Sequence, residues 1–205
     1  MAPVALTNPD PFKYSWWLMS RSAGITALLF VTASTVLGLF MASGIVKRPG
    51  LKGRLMPAHE YISLFAVVAI FVHGLALLGD KWLHPSLAGI FVPGLISYRP
   101  LAVAVGIVSG YITVLLSLSY YLRRQIGIKR WRQMHRFIVV VWAMAIVHAF
   151  FSGTDAPTVW MRVLLMASMA PELFLTLYRW LPEENRHRDL SAPGGTKGET
   201  VTVKH

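Results

Sequence analysis

Five long apolar segments separated by short polar loops dominate the sequence. Each is near the length of about 20 residues that a helix needs to cross the hydrocarbon core of a bilayer. They run roughly over 22–45, 58–79, 101–122, 134–152 and 159–180. Pro57, Pro100 and Pro157 precede three of them, where proline favours the start of a helix. The pattern predicts an all-α, polytopic membrane bundle of five transmembrane helices.

Composition supports a membrane protein and excludes several kinds of chemistry. The chain is 55% hydrophobic and only 14% charged, with a mean hydropathy of +0.53. This is too apolar for a soluble domain of its size. The chain has no cysteine, which excludes disulfides, thiolate zinc sites, iron–sulfur clusters and cysteine catalysis. The first twenty residues are polar and aromatic and do not match a cleavable signal peptide.

The net charge of +11 is distributed unevenly among the loops. Cations are concentrated in the loops after the first and third segments: Lys47, Arg48, Lys52, Arg54, Arg123, Arg124, Lys129, Arg130 and Arg132. The loop after the second has only Lys81 and Arg99, beside Asp80, and the loop after the fourth has no cation before Arg162. By the positive-inside rule, the N-terminus is outside and the C-terminus is cytosolic. The basic loops also predict anionic lipid, not nucleic acid, as the partner.

Three regions follow from these patterns. Residues 1–21 are predicted to form an outer N-terminal segment, 22–180 the membrane domain and 181–205 a disordered cytosolic tail. Within the membrane domain, residues 83–98 form a semi-apolar outer loop that prolines and glycines break too often for it to span. We expect this loop to lie on the outer surface or to fold over the helices.

Four histidines lie within the apolar segments, two on the second and two on the fourth: His59, His73, His135 and His148. A polar ring inside a membrane helix is expensive and is functional by default. Two imidazoles facing each other at one depth are the axial ligands of a six-coordinate haem iron. The four histidines therefore predict two stacked b-type haems across the bilayer. Three further histidines lie in a loop and the tail and are assigned no role: His84, His187 and His205.

Depth in the membrane determines the predicted pairing. The two segments run in the same direction, so His59 and His135 share the inner depth. His73 and His148 follow 14 and 13 residues later, respectively, or roughly 20 Å further along each helix. At about 100° per residue, His73 returns to within about 40° of the face of His59. His148 does not return to the face of His135, so a tilt, a kink or a π-bulge is needed there.

Further residues are candidates for shaping the haem sites. Trp142 lies seven residues after His135, opposite Ala66 at the midpoint of the second segment. We expect its ring to pack between the two macrocycles, although ordinary packing accounts equally well for a tryptophan here. Glu172, beside Pro171, is an intramembrane acid, for which proton coupling is the default hypothesis.

Anionic haem propionates require cations near the membrane faces. Arg132 and Arg136 flank the inner histidine pair, whereas Arg21 and Arg99 lie at the outer starts of the first and third segments. We expect these four arginines to contact the propionates, with an interfacial anchor as the alternative role of each.

These residues resemble the ferric reductase-like transmembrane domain family. That family includes the membrane domains of NADPH oxidases and iron reductases and the haem subunit of the bacterial periplasmic methionine-sulfoxide reductase system. Its hallmark is two helices, separated by one, that each carry two histidines 13 or 14 residues apart. The stretches WWLMSRSAGI and IKRWRQMHRFIVVVWAMAIVHAFFSGTD are similar to it, and the resemblance covers about residues 14–180.

The resemblance implies that His59 and His135 ligate an inner haem b, and that His73 and His148 ligate an outer one. It also implies an oxidoreductase whose electrons enter from a cytosolic reduced flavin and leave at the outer face. Full-length oxidases continue into a soluble FAD and NAD(P)H domain, but residues 181–205 contain no Gly-rich nucleotide motif. FAD or FMN is therefore expected only through a partner. A small membrane cytochrome of this kind is typical of the bacterial cytoplasmic (inner) membrane.

Three functions compete on this evidence. The first is an electron-transfer subunit that receives electrons from a separate flavin/NAD(P)H reductase and passes them to ferric iron, oxygen or a periplasmic partner. The second is a quinol-oxidising cytochrome b subunit. The third is a haem-free transporter of metal ions or protons, in which the histidines bind the metal or relay protons. None of these functions needs a catalytic nucleophile or general base, and none is evident.

Overall fold

The computed structural model of the protein describes residues 14–45 and 48–180, and these residues form helices and loops. The helices are α1 (Ser15–Ala42), α2 (Leu51–Ala76, extended by a 3₁₀ turn to Gly79), α3 (Leu87–Phe91), α4 (Pro100–Leu118), α5 (Arg123–Ile126), α6 (Ile128–His135), α7 (Ile138–Ser152) and α8 (Val159–Trp180). By length and composition, five stretches can cross a membrane: Ser15–Ala42, Leu51–Gly79, Pro100–Leu118, Ile128–Ser152 and Val159–Arg179. The predicted all-α architecture with five membrane-length helices is confirmed, and the orientation of the termini stays a prediction.

The helices begin earlier than the apolar segments do. α1 begins at Ser15, not at residue 22, and α2 begins at Leu51, not at residue 58. Pro57 therefore lies inside α2, so its predicted place before the helix is wrong. Hydropathy marks where a helix enters the hydrocarbon core of the membrane, whereas the helix itself extends into the polar headgroup region. Pro100 does occupy the first turn of α4, as predicted.

The hydrogen bonding of the fourth membrane-length helix is interrupted once. α6 ends at His135 and α7 begins at Ile138, and Arg136 and Phe137 form a short turn between them whose backbone dihedrals stay in the right-handed helical region. The turn follows directly after His135. A step of 13 residues along a regular helix would not bring His148 back to the helix face of His135, so the angular position of His148 has to be corrected between them. The turn lies in the stretch where the 13-residue spacing predicts a tilt, a kink or a π-bulge, and which of these corrects the phase stays a prediction.

Four helices surround the middle of the bundle. α1, α2, α4 and α7 contact one another in that cyclic order, which places α2 and α7 at opposite corners. α8 packs on the outside, against α1 and α7. The two helices that carry the histidines therefore face each other across the bundle. One buried cluster joins α1, α2, α7 and α8: Leu28, Val31, Ala66, Trp142, Ile146, Met161 and Leu165.

The outer loop over 83–98 folds against the helices. Its only regular element is α3, and the Tyr111 hydroxyl of α4 donates a hydrogen bond to the Phe91 carbonyl. The Trp82 ring meets the Tyr98 ring edge-on at 5.4 Å. The prediction that this loop does not span and lies over the bundle is confirmed. The tail over 181–205, with His187 and His205, lies outside the described residues.

Candidate functional site

The four intramembrane histidines form two pairs. The ring centroids of His59 and His135 are 6.1 Å apart with an interplanar angle of 89°. Those of His73 and His148 are 6.3 Å apart with an angle of 75°. The pairing that depth predicted is therefore the pairing that the fold produces.

The ring separations match two imidazoles that share one metal ion. With metal–nitrogen bonds of about 2.0–2.1 Å and each ring centre about 1.1 Å behind its nitrogen, bridged rings have centroids about 6.3 Å apart. Both observed separations, 6.1 and 6.3 Å, lie at this value. The spacing of each pair therefore fits bis-histidine ligation.

Three of the four rings are oriented by main-chain carbonyls. The Nδ1 atoms of His59, His73 and His148 lie 2.9, 2.8 and 2.8 Å from carbonyl oxygens of neighbouring helices. The carbonyls belong to Ser34, Ser20 and Ala102, respectively. Because a carbonyl can only accept, each Nδ1 carries the proton and each Nε2 keeps its lone pair. A histidine held in this way is oriented for metal ligation through Nε2.

Glycines on α1 and α4 allow this close approach. A Cβ atom added at Gly24 would lie 2.8 Å from His73 Nδ1, and one at Gly38 would lie 3.3 Å from His59 Cε1. A Cβ atom at Gly106 would overlap the His148 ring. The flat imidazoles therefore rest on helix surfaces that carry no side chain.

Sequence reasoning missed these supporting residues, although a signal for them exists. Ser20 and Ser34 are 14 residues apart, as are Gly24 and Gly38, and both spacings equal that of the histidines on α2. α1 and α2 run antiparallel, and the serines and glycines on α1 have the same 14-residue spacing as the histidines on α2. Each of these histidines therefore meets one serine and one glycine of α1: His59 meets Ser34 and Gly38, and His73 meets Ser20 and Gly24. A search for matched spacing between neighbouring segments would have found them.

The inner pair lines a cavity of about 700 Å³, a volume within the range of cofactor sites. Arg132 and Arg136 line the same cavity, as predicted for cations near the inner pair. Lys52 and Arg179 line it as well, and the sequence did not single them out for this position. The cavity therefore combines two imidazoles with four cationic side chains, a set that suits a flat ligand bearing carboxylates.

The two outer arginines bind protein groups. Arg21 forms an ion pair with Asp155 and lies 5.0 Å from the Trp17 ring centroid. Arg99 donates to the Phe151 carbonyl and lies 5.2 Å from the centroid of the neighbouring Tyr98 ring. These contacts tie the outer ends of the helices together, and the role of either arginine at an outer haem stays a prediction.

Trp142 lies in the core cluster at the middle of the bundle, together with Ala66. Its side chain is 4% exposed, and its Nε1 donates to Thr32 Oγ1 at 3.0 Å. The structure thus brings Trp142 and Ala66 into one cluster, as their positions in the sequence suggested. The hydrogen bond to α1, which the sequence did not indicate, fixes the orientation of the indole ring.

Glu172 lies on the inward face of α8 and is 1% exposed. Among the described residues, neither carboxylate oxygen has a hydrogen-bond partner, and the same is true of Thr176 Oγ1 one turn later. An isolated buried carboxyl is costly, and the proton coupling that the sequence suggests for Glu172 stays a prediction.

Within residues 14–45 and 48–180, no group of three or more His, Cys, Asp or Glu side chains could hold a metal ion. The histidines are present as pairs, and His84 is exposed in the outer loop. A scan against protein-family models and searches of curated proteins and of solved structures each returned no match.

Proposed function

We propose that this chain is a transmembrane electron-transfer protein that binds two b-type haems. His59 and His135 hold the inner haem, and His73 and His148 hold the outer one. The protein acts as the membrane subunit of an oxidoreductase that carries electrons from a cytosolic donor to an acceptor at the outer face. The observation that carries this proposal is the pair of ring separations, 6.1 and 6.3 Å, on two facing helices.

The number of ligands at each pair favours haem over a bare metal ion. Two imidazoles are too few for a structural zinc site, which has four protein ligands. They are the complete axial set for a haem iron, whose other four ligands come from the porphyrin. The main-chain carbonyls at three of the four histidines support ligation through Nε2.

A haem iron supplies one-electron redox chemistry when it is bound. The chain's own residues contribute orientation, burial and charge. The carbonyls of Ser20, Ser34 and Ala102 orient three imidazoles. Cations lining the inner cavity, including Arg132 and Arg136, would bind propionates. The core cluster contains Ala66 and Trp142, which lie between the two histidines of their own helices, so it separates the two pairs.

The proposed direction of transfer follows the charge of the loops. Basic loops next to the inner pair indicate a cytosolic inner end, so the donor approaches there. The donor is a separate flavin/NAD(P)H reductase, and the acceptor is ferric iron or a periplasmic reductase partner. The proposed location is the cytoplasmic membrane of a bacterium.

Haem content tests the proposal directly. We expect the purified protein, expressed with ample haem, to give a b-type reduced-minus-oxidised spectrum and close to two haems per chain in a pyridine haemochrome assay. Replacing any one of the four paired histidines with alanine should remove one haem. His84→Ala is the matched control, because His84 is exposed in the outer loop, and it should retain both haems.

Absence of haem from the wild-type protein would refute the proposal and favour the transporter alternative. Loss of haem in His84→Ala at the level seen in the four variants would also count against it. The donor is tested separately, by mixing the oxidised haem protein with reduced flavin or with a quinol. Reduction by quinol alone would replace the flavin reductase with the quinol-oxidising alternative.

A further inference from the structure

His135 is held differently from the other three paired histidines. Its Nδ1 atom is buried and has no hydrogen-bond partner among the described residues. Its ring instead stacks on the Trp131 ring, with centroids 5.0 Å apart and planes inclined by only 20°. The contact comes from the preceding turn of its own helix, α6, whereas the other three rings are held by a neighbouring helix.

Among the described residues, α4 supports the outer pair and offers no such contact to His135. At the outer pair it offers His148 the Ala102 carbonyl and the bare surface of Gly106. At the other end α4 finishes at Leu118, and a turn begins at Ser119. The inner pair lies beside this end of the helix, together with Tyr120 and Trp131.

The turn that follows α4 fixes Trp131 instead. Trp131 Nε1 donates to Ser119 Oγ at 3.0 Å, and the Tyr120 ring packs against the indole at 6.0 Å. The Arg123 guanidinium lies 3.8 Å from the centroid of the Tyr120 ring. Two contacts with the segment between α4 and α6 thus hold Trp131, and Arg123 packs on the Tyr120 ring that makes one of them.

We propose that Trp131 is a positioning residue for His135. Its indole face sets the orientation of the imidazole, which a main-chain carbonyl sets for the other three histidines. The inference rests on the proposed function, because it treats His135 as an axial haem ligand. The inner site is therefore coupled to the loop that a cytosolic donor meets first, whereas carbonyls of membrane helices fix both outer imidazoles.

Electron paramagnetic resonance of the oxidised protein tests the inference, because low-spin ferric signals report the orientation of axial imidazoles. His135→Ala and His148→Ala assign the signals to the inner and outer haems. We expect Trp131→Leu to shift or remove the signal that His135→Ala removes, and to lower the haem content from about two per chain towards one. The outer signal should stay unchanged.

Two further variants make the test specific. Trp131→Phe keeps an aromatic face but loses the bond to Ser119, and it should retain both haems with a smaller shift of the inner signal. Trp82→Leu, in the outer loop, is the tryptophan control and should leave both signals as in the wild type.

An unchanged inner signal and full haem content in Trp131→Leu would overturn the inference and leave the proposed function intact. Loss of both haems together would also overturn it, because Trp131 would then support the whole fold. A wild-type protein without haem would instead refute the proposed function, and the inference with it.

Discussion

At the scale of single residues, the histidine sites depend on main-chain carbonyl groups and on glycines, which have no side chain. Carbonyl oxygens of α1 and α4 accept from three imidazoles, and glycines next to them leave room for the rings. Gly106 allows the closest approach, Gly24 the next and Gly38 the least close. The space available at each glycine therefore sets how well a methyl group is tolerated there.

A series of glycine substitutions tests this order. Gly106→Ala should displace His148 and remove the outer haem, and Gly24→Ala should weaken the same haem by displacing His73. Gly74→Ala is the matched control, because an added Cβ there meets nothing within 4 Å. It should keep both haems and alter stability by at most about 1 kcal/mol. Haem per chain and thermal unfolding in detergent measure the effects. Full haem content in Gly106→Ala would contradict the packing.

Glu172 gives a second residue-scale prediction. Its carboxyl is 1% exposed and has no hydrogen-bond partner among the described residues. A buried charge without a partner costs several kcal/mol, so a neutral side chain of the same size should fit at least as well. We expect Glu172→Gln to unfold within about 1 kcal/mol of the wild type. Marked destabilisation in a thermal melt would show that the carboxyl has a partner that the described contacts lack.

At the scale of elements, the turn between α6 and α7 distinguishes the two helical segments that carry the histidines. His59 and His73 are separated by 14 residues of continuous helix, whereas His135 and His148 are separated by 13 with a turn between them. A regular helix turns about 100° per residue, so an added residue within α7 would rotate His148 away from His73. The turn at Arg136 and Phe137 lies between the two histidines, in the stretch where their spacing requires an adjustment of phase.

An insertion tests the phase argument. One alanine added between Ala143 and Met144 should rotate His148 by about 100°. It should remove the outer haem and leave the inner one. The control is one alanine added after Gly94 in the outer loop, where the backbone is exposed and in the left-handed region and an added Cβ would meet no described atom within 4 Å. The haemochrome assay should give about one haem for the first variant and about two for the second. Retention of both haems in the first would argue against the predicted phase.

At the scale of the whole molecule, the orientation in the membrane decides which of the two proposed haems would meet the proposed donor. The basic residues cluster between the end of α1 and the first turn of α2, and again between α4 and α7, whereas the exposed loop between α2 and α4 is poor in them. The positive-inside rule then places the inner pair towards the cytosol. The direction of electron flow in the proposed function follows from this placement.

The absence of cysteine makes the orientation simple to measure. Ser97→Cys and Gln125→Cys place single thiols at exposed positions in the outer and inner loops, respectively. With a membrane-impermeant maleimide on intact spheroplasts, Ser97→Cys should be labelled. Gln125→Cys should react only after permeabilisation. The opposite pattern would reverse the proposed direction of electron flow.

The sequence alone determined the five membrane-length helices, the four histidines and their pairing by depth. These features are local, because they depend on segment length, hydropathy and the fixed rise of a helix. The first residues of α1 and α2 could not be predicted from hydropathy, because a helix can extend beyond the hydrocarbon core of the membrane. Only the tertiary structure decided which carbonyls accept hydrogen bonds from the imidazoles, which glycines leave space for the rings and why the His135 ring stacks on Trp131. Those contacts join residues far apart in the chain, and they depend on which helices become neighbours and where α4 ends.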